Sequence, residues 1–161
     1  MKSYLVSALK VLVPRGPGAL ANWHDGAWLV WEPGVWKAPR SKTVVLGAGA
    51  ALPTGPRGAL KGSEALAIAL PTQERVTVGR APSADVSIND GTLSGFHLAL
   101  KRAPDGAWQV EDLGSTNGTL VDDALLRAGL TAALKNGSVL KAGEVVLTFQ
   151  TAEGLWARLT V

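Results

Sequence analysis

Hydrophobic and polar positions alternate along the second half of the chain with the two-residue period of half-buried strands. Val76 and Val78 flank Thr77, Val86 and Ile88 flank Ser87, and Leu98 and Leu100 flank Ala99. Each run ends in a polar turn, several of them carrying glycine. The pattern predicts strands over 65–70, 75–78, 86–88, 97–102, 107–112, 119–121, 125–127, 138–141, 144–150 and 155–160. Turns fall at 103–106, 122–123, 135–137 and 152–154, where Gly, Asn, Asp and Pro gather. No long amphipathic helix is predicted. Many short strands of this kind make an all-β sandwich of mostly antiparallel strands.

The first half is less regular. Residues 1–13 alternate weakly and read as a strand, and 14–18 (Pro-Arg-Gly-Pro-Gly) break it. Residues 22–31 read as a hairpin, with Asp25-Gly26 as the turn between aromatic and β-branched runs. Pro33-Gly34 ends it. Short strands are expected at 35–36 and 43–46, and the Gly-, Ala- and Pro-rich stretch 47–62 reads as a linker. The expected division is therefore a basic, Trp-rich segment over 1–62 and a sandwich over 63–161. Residues 25–30 (Asp-Gly-Ala-Trp-Leu-Val) echo 105–110 (Asp-Gly-Ala-Trp-Gln-Val). Shared turn chemistry explains this better than duplication, because only 24 residues precede Asp25.

Composition adds limits. With 47% hydrophobic residues the chain can bury a core, and with no cysteine it has no disulfide or thiolate metal site. No run approaches the length of a membrane span. Lys10 interrupts the apolar run after Lys2, which argues against a secretion signal, and a cytoplasmic location is expected. The sequons at Asn117 and Asn136 are both Asn-Gly pairs, whose commoner meaning is a turn. The net charge of +3 divides into +5 over residues 1–70 and −2 over 71–161. Any long-range pull on anions comes from the N-terminal part.

Arg80, Ser94, Thr116 and Asn117 all stand at or just beyond predicted strand ends. A sandwich collects its loops at two ends, so these four can converge. One guanidinium, two hydroxyls and an amide form a donor set with no acid, base or metal ligand in it. Such a set suits an anion, above all a phosphate.

The ordered series Gly79-Arg80, Ser94-x-x-His97 and 115–119 (Ser-Thr-Asn-Gly-Thr) resembles the forkhead-associated (FHA) domain family. The likeness runs from about residue 64 to 149. It takes in Asp85-Val86-x-Ile88, Val110-x-Asp112-Leu113, Leu134 with Asn136-Gly137, and the closing 143–149 run. The resemblance implies an FHA-like β-sandwich that binds phosphothreonine in partner proteins, downstream of a Ser/Thr protein kinase. It implies phosphopeptide contacts from Arg80, Ser94, Thr116 and Asn117, with minor contributions from Gly95 and Ser115. Gly79, His97 and Gly118 are expected to support the loops.

Each assignment competes with a plainer one. Arg80 alone would read as an exposed arginine, Ser94 and Thr116 as turn residues, and Asn117-Gly118 as a turn. His97 sits in an apolar run and is expected to pin the Ser94 loop and not to touch ligand. Gly95 departs from the family pattern, in which Arg or Asn often adds a donor to the phosphate. Losing one charge-assisted bond, worth roughly 1.5–3 kcal/mol, weakens binding about ten-fold or more.

An enzyme reading fails on inventory. Residues 91–95 (Gly-Thr-Leu-Ser-Gly) lack the Gly-x-Ser-x-Gly elbow, there is no phosphate loop with its Gly-Lys, and two histidines cannot make a multi-histidine metal site. No cofactor or metal is expected. Two other readings remain open: an FHA-like scaffold that binds proteins without phosphate, and a nucleic-acid-associated protein using the basic N-terminal part. Trp23, Trp28, Trp31 and Trp36 lie near Lys37, Arg40 and Lys42 and suggest packing on the sandwich or self-association before base stacking.

Overall fold

A computed structural model describes residues 2–24, 26–32 and 64–161. In chain order they form β1 (Lys2–Leu5), α1 (Val6–Leu9), a 3-10 helix (Lys10–Arg15), α2 (Gly18–Trp23), β2 (Trp28–Trp31) and β3 (Leu66–Ala69). There follow β4 (Arg75–Gly79), β5 (Val86–Ser87), β6 (Leu98–Arg102), β7 (Trp108–Asp112), β8 (Thr119–Val121) and β9 (Ala124–Leu126). β10 (Thr131–Leu134), β11 (Val139–Ala142), β12 (Val145–Gln150) and α3 (Ala152–Leu159) complete the series. A seven-stranded sheet in the order β1-β3-β2-β12-β11-β8-β9 packs on a five-stranded sheet in the order β10-β7-β6-β4-β5. The β4–β5 pair is parallel; the other pairs between described strands are antiparallel.

Alternation decides which side chains meet. Leu29, Trp31, Ile68, Val76, Val78, Leu98, Leu100, Val110, Leu140, Leu147 and Phe149 fill the space between the sheets. The intervening residues of β2 and β3 face the other way. Trp28, Val30 and Ala67 join Val6, Leu9, Leu12, Leu20, Leu155 and Leu159 in a second cluster beneath the helices. All four residues of β2 are buried because the strand has a core on each side.

This corrects several expectations. Residues 22–31 do not form a hairpin. α2 runs to Trp23, and Trp28–Trp31 is a single strand hydrogen-bonded between β3 and β12. Two strands from the segment 1–62 thus belong to the same sheet as strands from 63–161. The weakly alternating start is a strand only over Lys2–Leu5, after which the chain is helical. The expected strand over 155–160 is α3. Thr151 caps it by accepting the Gly154 N–H at 3.1 Å, and Leu155 and Leu159, four apart, share its buried face. Arg158 in its last turn makes a two-pronged ion pair with Glu32, just after β2, at 2.7 and 2.8 Å. β10 was not expected; its sequence, Thr-Ala-Ala-Leu, has weak strand propensity, and pairing with β7 recruits it. The echoing segments at 25–30 and 105–110 lead into strands of different sheets. The strands expected at 35–36 and 43–46, the linker 47–62, and Trp36, Lys37, Arg40 and Lys42 lie outside the described residues.

Candidate functional site

Three chain segments meet at one end of the sandwich: the end of β4, the loop entering β6, and the loop from β7 to β8. The first two are laced together by backbone. His97 N–H donates to the Val78 carbonyl, Arg80 N–H to Ser94, and Ala81 N–H to Gly95, each at 2.9 Å. So close an approach leaves no room for a side chain on Gly79. A Cβ there would stand 2.1 Å from the Gly95 carbonyl oxygen.

His97 ties in the third segment. Its ring is fully buried, and Nδ1 accepts the Ser94 backbone N–H at 3.1 Å. The ring proton is therefore on Nε2, which donates to the Gly118 carbonyl at 2.8 Å. Both nitrogens are occupied inside the protein. Gly118 itself has a φ of 79°, a conformation that glycine adopts at least cost.

Polar side chains complete the frame. Ser94 Oγ accepts the Thr116 backbone N–H at 3.0 Å. Asn117 Nδ2 donates to the Thr92 carbonyl at 2.8 Å. Thr92 is a hub: its hydroxyl donates to buried Asp90 at 2.6 Å and accepts the Glu144 N–H at 2.9 Å. Asp90 also accepts the Thr92 N–H, at 2.8 Å.

The β7–β8 loop is shaped by one carboxylate. Asp112 Oδ2 accepts the N–H groups of Gly114 and Ser115, both at 3.0 Å. Its Oδ1 accepts the hydroxyls of Ser115 at 2.6 Å and Thr119 at 2.7 Å. Burial pushes the Asp112 pKa up. The Ser115 and Thr119 hydroxyls and the two backbone N–H groups outweigh it and hold the carboxyl below its ordinary value. The Ser115 hydroxyl is thus engaged with the loop's own anchor. Asp112, Thr92 and Asp90 were not singled out as site residues from the sequence. Asp-x-x-Ser at 112–115 and Asp-x-Thr at 90–92, each a short polar side chain two or three residues from a backbone donor, were the signals that mark such turns.

The structure therefore gathers Arg80, Ser94, Thr116 and Asn117 at one end, with Gly95 beside them. Arg80 is partly exposed, and among the described residues no carboxylate is paired with it. Asp90 and Asp112, which stand in these loops, are buried and hydrogen-bonded within them. Arg80 and Ser94 are partly exposed, Ser94 keeps a hydroxyl proton to donate, and Thr116 and Asn117 are exposed. A donor set of this kind has the chemistry that suits an anion.

The family model of the FHA domain matches residues 76–143, the stretch that carries all these loops. The oxoglutarate dehydrogenase inhibitor of Corynebacterium diphtheriae is 34% identical over 122 residues, 70% of this chain and 78% of that protein. The chain belongs to the FHA domain family. The glycogen accumulation regulator GarA of Mycolicibacterium smegmatis is 35% identical over 106 residues, 66% of this chain and 62% of that protein. Among solved structures, the FHA domain of a Chlamydia trachomatis protein superposes with a TM-score of 0.51 at 20% identity, over 77% of this chain and 96% of that one. The FHA domain of an Arabidopsis thaliana protein does so with 0.51 at 24%, over 78% and 86%. These likenesses carry the fold. FHA domains bind phosphothreonine, and the loops that gather Arg80, Ser94, Thr116 and Asn117 lie within the matched FHA stretch.

Proposed function

We propose that the chain reads phosphothreonine on a partner protein through Arg80, Ser94 and Thr116, with Asn117 holding the bound backbone. The observation that carries this is the convergence of an unpaired guanidinium and a Ser94 hydroxyl already oriented by the Thr116 N–H. The guanidinium pairs two phosphate oxygens, the Ser94 hydroxyl donates to a third, and the Thr116 hydroxyl adds a donor. Gly95 supplies no side-chain donor.

The work is binding and not catalysis: no residue here is placed to move a proton to or from a bound phosphate, and His97 is locked by two internal bonds. Relatives bearing the names of an inhibitor and a regulator fit a control protein that acts by docking, downstream of a cytoplasmic Ser/Thr kinase. A phosphate-independent scaffold would leave Arg80 without a task. Among the described residues no helix is long and apolar enough to cross a membrane. Nucleic-acid stacking on the N-terminal tryptophans loses its platform, since Trp28 and Trp31 are buried and only Trp23 is exposed among those described. The same burial removes Trp28 and Trp31 from self-association.

The test is a degenerate phosphothreonine peptide library set against its unphosphorylated twin, followed by titration calorimetry on the selected sequences. Selective capture of the phosphorylated set is the expected result. Equal capture of both sets overturns the reading.

A further inference from the structure

The helices cover only part of the seven-stranded sheet. Their cluster takes in side chains from β2 and β3 and none from β8, β9 or β11. On those three strands the inward residues are Val121, Leu126, Leu140 and Ala142, all in the sandwich core. The outward residues are Leu120, Leu125, Val139 and Lys141. Register puts Leu125 opposite Leu120, Leu120 opposite Lys141, and Lys141 opposite Val146 of β12. Leu125, Leu120, Lys141 and Val146 therefore form one row across four strands, about 14 Å long at the usual spacing between strands. Val139 flanks the row on the same face. Leu125 is 67% exposed and Val139 38%. An apolar strip around one lysine, on a sheet face that the described helices leave open, is a candidate interaction surface.

The strip does not stand apart from the loops. Leu125 Cδ1 lies 3.7 Å from the place a Cβ on Gly118 would occupy, and Gly118 closes the turn that carries Thr116 and Asn117. The strip therefore begins at the edge of the loop that carries Thr116 and Asn117. We propose that the Leu125–Leu120–Val146 strip is a second docking surface for the same phosphorylated partner, engaged by apolar side chains distant in sequence from the phosphothreonine, with an acidic group set against Lys141. This rests on the phosphothreonine reading and extends it: the loops read the phosphate, and the sheet face reads the partner. Continuity with the loop commits the strip to that occupant over a second copy of the chain.

The test uses the full chain and two degenerate phosphothreonine libraries. One has peptides of about seven residues; the other has peptides of about seventeen, long enough at ~3.3 Å per residue to cover the strip. The expected result is that the long library yields binders at least about ten-fold tighter, with apolar residues enriched at a fixed distance of four or more positions from the phosphothreonine. Leu120→Glu with Leu125→Glu removes that gain and leaves seven-residue affinity unchanged. No gain from length, or equal loss for both lengths, overturns the proposal while leaving phosphothreonine binding intact. Failure of phosphorylated over unphosphorylated capture in the short library strikes the underlying reading instead. Two further outcomes also overturn it. A dimer that the double variant dissociates in sedimentation assigns the strip to self-association. A large fall in melting temperature in the double variant shows that the strip is covered in the free chain.

Discussion

Ser94 Oγ and the Thr116 backbone N–H are joined at 3.0 Å across 22 positions of sequence. The serine accepts this bond, so its own proton stays available to a ligand. Ser94→Ala therefore removes a donor to phosphate and a tie between two loops. Peptide affinity should fall about ten-fold or more, since a hydrogen bond to a charged group contributes roughly 1.5–3 kcal/mol. The melting temperature should fall by less than about 5 °C, the effect of one neutral bond in a domain of this size. Titration and melting curves on the same preparation check both.

Arg80→Ala should separate binding from stability more cleanly. The side chain has no ion-pair partner among the described residues, so little folding energy goes with it. Losing a two-pronged charged contact, at roughly 1.5–3 kcal/mol per bond, should weaken phosphopeptide binding at least about 100-fold. An unchanged melting temperature with unchanged affinity would remove Arg80 from the site.

Gly95 can be replaced. Its φ is outside the left-handed region, and an added Cβ would meet only Ala81 Cβ, at an ordinary 3.7 Å. Gly95→Arg should restore a cationic donor beside the phosphate and tighten binding about ten-fold. Calorimetry at two salt concentrations should show the gain shrinking as salt rises. A weaker complex at low salt would show that this loop cannot aim the new side chain.

Asp112 gives the site an acid limit. Its folded pKa is depressed, so its contribution to stability is complete above the unfolded value near 3.9 and is lost as pH falls through the lower folded value. Asp112→Asn keeps one accepting oxygen and makes the other position an NH2 donor, which cannot accept the two bonds that position now receives. A loss of about 2 kcal/mol, or roughly 4–8 °C in melting temperature, is expected at pH 7. The gap between variant and parent should narrow as pH falls through the folded value, which lies below the unfolded one. A gap that persists there would place the loss in packing and not in the charge.

The sequence carried the loop end of the sandwich better than the N-terminal fold. That Arg80, Ser94, Thr116 and Asn117 stand in converging loops was legible because each lies at or just beyond the end of a strand, and alternation fixes where loops gather. Asp112 and Thr92 were harder to see. Their roles rest on bonds to backbone groups such as Glu144 N–H, 52 positions from Thr92, which no local pattern announces. Trp28–Trp31 misled for a physical reason. Four consecutive buried residues look like a hairpin arm, whereas here one strand serves two cores. At 155–160, Leu155 and Leu159 had helical spacing, but Gly154 looked like a turn and not the first turn of a capped helix.

The position of β2 fixes what can be cut from this chain. Residues 63–161 alone would lose the strand that sits between β3 and β12 and hydrogen-bonds to both. Two interior edges would open, and each is a template for aggregation. Trp31 and Leu29 would vanish from the sandwich core, and Trp28 and Val30 from beneath the helices. A buried tryptophan alone accounts for roughly 3–5 kcal/mol when truncated, against a total stability of about 5–15 kcal/mol. Deletion of residues 1–62 should therefore give an unfolded or aggregated product and no phosphopeptide binding. Residues 33–63 stand differently. Trp31 pairs with Leu66 in antiparallel register, so the end of β2 and the start of β3 are neighbours that a short turn can join. Replacing 33–63 by an Asn-Gly turn should keep the melting temperature within a few degrees and phosphopeptide affinity within a few-fold. Every proposed phosphothreonine contact lies in the FHA match, so loss of binding by a well-folded shortened chain would mean that the replaced segment contributes to the site.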